Sequence, residues 1–204
     1  MSAIAIVGAS GNVGMQLVVE GLRRNHTVTA IARDPSKLGQ HAGLKLKSVD
    51  LHNTKALEAA LRGHDAVISS VRFEGLRPPM IIEPVKAARV ARLLVVGGAA
   101  SLNVAPGQRM LDSPHFPAEY KAEAGAAAAF LDELRHEREL DWTFVSPSAE
   151  FVSGERTGKF RIAKDELLTD ATGRSWISYQ DFAIALFDEL ERPVHSRQRF
   201  TVGY

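Results

Sequence analysis

Ala3-Ile4-Ala5-Ile6-Val7-Gly8-Ala9-Ser10-Gly11-Asn12-Val13-Gly14 is the stretch from which the rest of the chain can be read. Its first five residues are a short apolar run of strand type, and the glycines follow without a gap. A helical pattern then begins near Asn12, with apolar Val13, Leu17, Val18 and Leu22 on one side. Strand, glycines, helix is the order that a dinucleotide site requires. Gly8 allows the tight exit from the strand, Gly11 lets backbone N–H groups approach a pyrophosphate, and Gly14 allows helix and sheet to pack closely. The positive end of the helix then points at the phosphates. Gly8, Ser10, Gly11, Asn12, Val13 and Gly14 are therefore the expected cofactor contacts. The competing reading, a glycine turn that serves packing alone, accounts less well for the strand before it and the helix after it.

The length and composition of the whole 204-residue chain bound the answer. At about 100–200 residues per domain it is expected to be a single domain. Lys plus Arg number 25 against 24 Asp plus Glu, a net charge of +1 that predicts neither a nucleic-acid footprint nor an anionic-membrane partner. The absence of cysteine excludes disulfides, thiolate metal sites and cysteine nucleophiles. The histidines show no His-x-x-x-His spacing, so no metal is expected. No signal peptide or membrane-spanning run is recognised, which reads as a cytoplasmic protein.

Further along, His26 to Ala32 reads as a second strand that ends at Arg33-Asp34-Pro35. An acidic residue at this place holds a ribose 2′-OH, whereas an arginine accommodates a 2′-phosphate. Arg33, nineteen residues after Gly14, thus predicts NADP(H), with NAD(H) as the alternative if Asp34 does the ribose work. Leu44 to Asp50 alternates as a strand with one covered face, Thr54 to Arg62 is a short helix, and Ala66 to Val71 is a buried fourth strand with Ser69 and Ser70 at its end. Pro78-Pro79 opens the next helix, Arg92 to Gly98 is the fifth strand, and a proline-rich loop leads to a long helix from Ala118 to Arg138. Leu140 to Pro147 is the sixth strand.

One strand per helix with right-handed crossovers gives an α/β fold, a Rossmann-type doubly wound parallel sheet of order 3-2-1-4-5-6 flanked by helices. In the tail, Lys159–Ala163 and Glu166–Leu168 read as a small hairpin or extended pair. Ser178-x-x-Asp181 has capping-box spacing before a helix from Tyr179 to Leu190, and Arg199–Val202 is a last strand. Residues 148–204 are expected to form a small C-terminal cap over the ligand edge of the same domain.

Gly8-Ala-Ser-Gly11-Asn-Val-Gly14, Arg33-Asp-Pro, Val49-Asp50-Leu51 and Val95-Val-Gly-Gly-Ala-Ala-Ser101 resemble the atypical short-chain dehydrogenase/reductase superfamily over nearly the whole chain. The likeness is greatest to the NADH-flavin reductase-like group, then to the biliverdin reductase B-like and NmrA-like groups. The resemblance implies that Asp50 and Leu51 lie beside the adenine, Ser69 near the cofactor ribose and Ser101 near the nicotinamide. One feature of the superfamily is missing. Its Tyr-x-x-x-Lys pair uses a lysine to lower the pKa of a proton-exchanging phenol, but here position 124 is Ala124, position 183 is Ala183, and Tyr204 ends the given sequence. Lys121, adjacent to Tyr120, projects about 100° away on a helix and does not replace the partner.

An acceptor with a delocalised electron sink needs less help from an enzymic acid than a ketone does. The expectation is an NADPH-dependent reductase of a flavin-like, quinone-like or tetrapyrrole-like aromatic acceptor. Ser101 and His115 are the candidate contacts to the reacting groups, Tyr120 is either an unassisted acid or a packing residue, and Phe73, Phe116 and Phe151 could line the acceptor pocket. An NADP(H)-sensing regulator without catalysis and an epimerase- or dehydratase-like enzyme are the alternatives.

Overall fold

The computed structural model describes residues 1–204. The chain begins with β1 (Ala3–Val7), α1 (Asn12–Arg23), β2 (Thr27–Ala32), β3 (Leu44–Ser48), α2 (Thr54–Leu61), β4 (Ala66–Ser69), α3 (Pro79–Ala87) and β5 (Arg92–Val96). A small hairpin, β6 (Asn103–Ala105) and β7 (Gln108–Arg109), precedes α4 (Lys121–His136) and β8 (Asp141–Pro147). The tail holds β9 (Glu150–Val152), β10 (Arg161–Ala163), β11 (Trp176–Ser178), α5 (Tyr179–Glu191) and β12 (Gln198–Gly203).

Eight strands form one sheet in the order β10-β12-β8-β5-β4-β1-β2-β3, parallel throughout except for β10. The expected 3-2-1-4-5-6 order is present as β3-β2-β1-β4-β5-β8. Alternation along β1 sends Ala5 and Val7 to one face and Ile4 and Ile6 to the other. On the first face Leu57, Leu61, Ile81, Val85, Phe130 and Leu134 from α2, α3 and α4 close the core. On the second, Leu17 and Val18 of α1 meet Phe182, Leu186 and Phe187 of α5. Strands covered on both sides in this way are read correctly from uninterrupted apolar runs.

The tail departs from the sequence reading. Lys159–Ala163 and Glu166–Leu168 do not pair with each other. Arg161–Ala163 pairs antiparallel with Thr201–Gly203, and Glu166 bridges to Asn103. β12 lies parallel to β8, with Phe200 and Val202 packed into the second core. Of residues 148–204, α5, β10 and β12 are thus built into the sheet and its helical layer, and the parallel β9–β11 ribbon stands at the C-terminal ends of β8 and β12. Ser178 caps α5 by accepting from Asp181 N–H at 3.0 Å. Asp181 does not complete a reciprocal box: its buried carboxylate accepts from Thr157 N–H at 2.7 Å, Gly158 N–H at 2.9 Å and the Tyr204 hydroxyl at 2.7 Å.

Buried Glu20 ties α1 to the loop after β9. It accepts from Arg24 Nε at 2.7 Å and from two nitrogens of Arg156, both at 2.8 Å. Burial raises its pKa, but the Arg156 and Arg24 hydrogen bonds outweigh it and hold the carboxyl below the usual value of 4.5. With a folded pKa below the unfolded one, this stabilisation is complete above pH 4.5 and is lost as pH falls through the folded value. Thermal unfolding midpoints should therefore fall between about pH 5 and pH 3, and Glu20→Gln should be less stable at neutral pH with a shallower acid slope. An unchanged slope would remove Glu20 from the acid transition.

Candidate functional site

The C-terminal ends of β1, β2, β3 and β4 lie side by side, and the strand order reverses between β1 and β4, where open α/β sheets form a ligand crevice. The turn after β1 opens into it. Gly8 has φ +83° and donates to Ile31 O at 2.8 Å. A Cβ on Gly8 would sit 2.2 Å from Ser70 O, and one on Gly14 would sit 2.2 Å from Gly8 O. These two glycines are required by the protein's own packing. Gly11 is different: it is exposed, has φ −75°, and the nearest atom to a Cβ there is Gly8 O at 3.4 Å. No contact within the chain requires a glycine at this position.

Gly11 N–H bonds to Gly8 O at 3.1 Å and the first helical bond runs from Met15 N–H to Gly11 O at 2.9 Å, leaving the amides of Asn12, Val13 and Gly14 without acceptors in the protein. The first turn of α1 has no side-chain cap and no acidic residue, whereas Asn53 caps α2 and Ser178 caps α5. Free amides, an uncompensated helix dipole and open space over Gly11 suit a bound phosphate group. The cradle therefore fits a dinucleotide.

The other cofactor candidates are distributed along the same edge. Arg33 is exposed directly after β2, its carbonyl fixed by Ser48 Oγ at 2.7 Å. Asp34 is engaged locally: one carboxylate oxygen accepts from Ser36 Oγ at 2.6 Å and Ser36 N–H at 3.0 Å, and these bonds hold its pKa below the ordinary range. Exposed Asp50 follows β3 and accepts from His52 N–H at 2.9 Å, while Leu51 packs against the core below it. Ser69 ends β4 on this edge. It is 2 % exposed within β4, and Ser70, one residue on, is the serine whose carbonyl abuts the Gly8 turn.

No hydrogen bond joins the candidates for the reacting end, Ser101, His115 and Tyr120, to one another. Ser101 Oγ accepts from Arg199 Nη1 at 3.2 Å, and Arg199 also holds Asp165 through Nε at 2.7 Å. These residues, with Asn103, Arg109 and Leu131, line a polar cavity of about 200 Å³ beside α4. Arg199 is in register with Phe144, which pairs with Val95, so Arg199 lies level with the C-terminal ends of β5, β4 and β1. His115 is exposed, its backbone N–H donating to Ser113 Oγ at 3.3 Å. Tyr120 is 61 % exposed at the residue before α4, and Ala124, four positions on, is buried. The expected aromatic pocket is not assembled either. Phe73 packs on Phe130 and Phe144 in the first core, while Phe151 packs on Phe182 and Tyr179 on the opposite face of the sheet. Glu123, which the sequence reading left without a role, is reached only through contacts across about fifty residues and had no local signal.

A family model described as NAD(P)H-binding matches residues 8–193. The uncharacterised Bacillus subtilis protein YwnB is 39 % identical over 98 % of this chain and 97 % of its own length. A crystal structure from Bacteroides thetaiotaomicron, of a protein provisionally named an epimerase, superposes with TM-score 0.94 at 41 % identity, covering 99 % of this chain and 96 % of that one. A Streptococcus pneumoniae structure, provisionally named an NADH-flavin reductase, gives TM-score 0.84 at 36 % identity over 100 % and 99 % of the two chains. No helix of this chain is long and apolar enough to cross a membrane.

Proposed function

From the premise that this chain belongs to the NAD(P)H-binding family, of atypical short-chain dehydrogenase/reductase type, we propose that it is a cytoplasmic NADPH-dependent reductase. Its acceptor is an aromatic small molecule of flavin, quinone or tetrapyrrole type. The observation that carries this choice is at the start of α4. Tyr120 is exposed, its hydroxyl has no hydrogen-bond partner in the chain, and Ala124 occupies the place of the activating lysine. Without an activated phenol the chain is poorly equipped to protonate an alkoxide, and an acceptor that spreads the incoming charge over a conjugated ring system is the better match. Such an acceptor takes up two electrons with the hydride and a proton from solvent. The chain's own residues then bind and orient: the amides of α1 toward a diphosphate, Arg33 toward a 2′-phosphate, Asp50 and Leu51 toward the adenine.

The test is oxidation of NADPH and NADH by the purified protein against FMN, riboflavin, a benzoquinone and biliverdin, with cofactor binding measured in parallel. Turnover with one of these acceptors and preference for NADPH are expected. Tight NADPH binding with no turnover would overturn the reductase and favour an NADP(H)-sensing protein. The name of the Bacteroides relative supports an epimerase as the second reading, and interconversion of sugar epimers without net cofactor oxidation would establish it.

A further inference from the structure

Glu123 lies in the first turn of α4, and its two carboxylate oxygens accept from two consecutive backbone amides fifty residues away in the chain. Oε1 takes Phe73 N–H at 2.8 Å and Oε2 takes Glu74 N–H at 2.7 Å. Both amides belong to the loop that follows β4. Two neighbouring N–H groups need two acceptor atoms and no donor between them, which a carboxylate supplies and a carboxamide does not. The same loop is anchored to α4 by the Phe73 ring, edge-on to Phe130 at 5.3 Å. Its other end forms part of the crevice: Ser70 N–H bonds to Val7 O at 2.8 Å, and Ser70 O fills the position a Gly8 Cβ would take. Residues 70–74 are thus a continuous wall from the glycine turn to the start of α4.

We propose that Glu123 is a positioning residue for the cofactor: by clasping the Phe73 and Glu74 amides it fixes the wall of the crevice at the β1/β4 switch point. It also links the segment leading into α4, which carries His115 and Tyr120, to cofactor affinity. This rests on the placement of the dinucleotide at the Gly8–Gly14 turn argued above. The clasp contributes little to holding α4 itself, because Glu123 is 29 % exposed and the helix is anchored by buried Ala127, Phe130, Leu131 and Leu134. Loss of the clasp therefore frees the loop without unfolding the helix. The crevice then spends part of its time in shapes that do not bind, and apparent affinity falls in proportion.

The experiment measures NADPH dissociation constants by fluorescence titration without any acceptor, and thermal midpoints without cofactor, for the wild type, Glu123→Gln and Glu123→Ala. Glu123→Gln keeps one acceptor atom but presents an NH₂ group to the second amide. Its Kd is expected to rise about 3- to 10-fold, that of Glu123→Ala more, with midpoints within about 3 °C of wild type. In turnover with any accepted substrate, KM for NADPH should rise more than kcat falls. An unchanged Kd in Glu123→Gln, or a lowered midpoint with unchanged Kd, overturns the assignment; should Glu123→Ala fail to fold, Glu123→Gln decides alone. Because Kd is read without an acceptor, absence of reductase activity does not affect the result. Failure of the wild-type protein to bind either nicotinamide would overturn the crevice placement and this proposal together.

Discussion

Gly11→Ala is expected to fold normally and bind NADPH at least about 10-fold more weakly, whereas Gly14→Ala is expected to lose the native turn itself. The two glycines are three residues apart and differ in what surrounds them. A methyl group at Gly14 would lie 2.2 Å from Gly8 O and 2.8 Å from Ala9 Cα, both backbone atoms that cannot yield without moving the turn away from β1. Overpacking against backbone costs several kcal/mol where side chains cannot rotate away, on the order of 3 kcal/mol or more. At Gly11, φ −75° is ordinary for alanine and the nearest atom is 3.4 Å away. The change alters an N-cap and costs at most about 1 kcal/mol, part of it offset by the smaller entropy of the unfolded chain. What the new methyl meets is the space in front of the free amides of α1, where the proposed site would hold a diphosphate. Thermal midpoints with and without NADPH separate the two effects. Gly11→Ala with wild-type cofactor affinity would move the binding site away from this turn.

Arg33→Ala should weaken NADPH binding about 10- to 100-fold, the loss of a charge-assisted bond of about 1.5–3 kcal/mol, and leave NADH within about twofold. The difference between the cofactors is one phosphate, so the selective loss isolates that contact. NADPH affinity should also fall with added salt in the wild type and much less in the variant, because the attraction is between partly exposed charges. Arg33→Lys should recover part of the affinity, since an ammonium keeps the charge but not the two-pronged geometry. Asp34→Ala should change NADH binding little, because its carboxylate is already held by Ser36. Equal losses for both cofactors in Arg33→Ala would reject the arginine as the phosphate contact, and a large NADH-specific loss in Asp34→Ala would assign the ribose to Asp34.

Two of the solved relatives carry provisional names that point to different chemistry, an epimerase at 41 % identity and an NADH-flavin reductase at 36 %. The two readings proposed for this chain, reductase and epimerase, both call for a nicotinamide cofactor and differ in what stands at its reacting end. In this chain that end lacks the tyrosine–lysine pair, and the proton donor is the part of the site least prepared. The choice between the readings therefore turns on turnover experiments, while the Gly11 and Arg33 variants test the half of the site that both readings share.

The amino-acid sequence by itself determined the alternation of elements, the position of the glycine turn and the order of the first six parallel strands. Each of these depends on signals a few residues apart: apolar runs, the spacing of Gly8, Gly11 and Gly14, the cap at Ser178, the prolines before α3. Right-handed crossovers then restrict how such units can be stacked. The tertiary structure alone decided which distant groups meet. Arg161–Ala163 found Thr201–Gly203 instead of its sequence neighbours, because β12 offered an open edge beside it. Ser101 was drawn to Arg199, 98 positions away, by the need of a nearly buried guanidinium for acceptors. Phe73 and Phe151 were placed on opposite faces of the sheet by the elements that carry them, and Glu123 met the β4 loop across fifty residues. Local spacing specifies backbone conformation, whereas the partners of buried and half-buried polar groups follow from packing, which residue spacing does not encode.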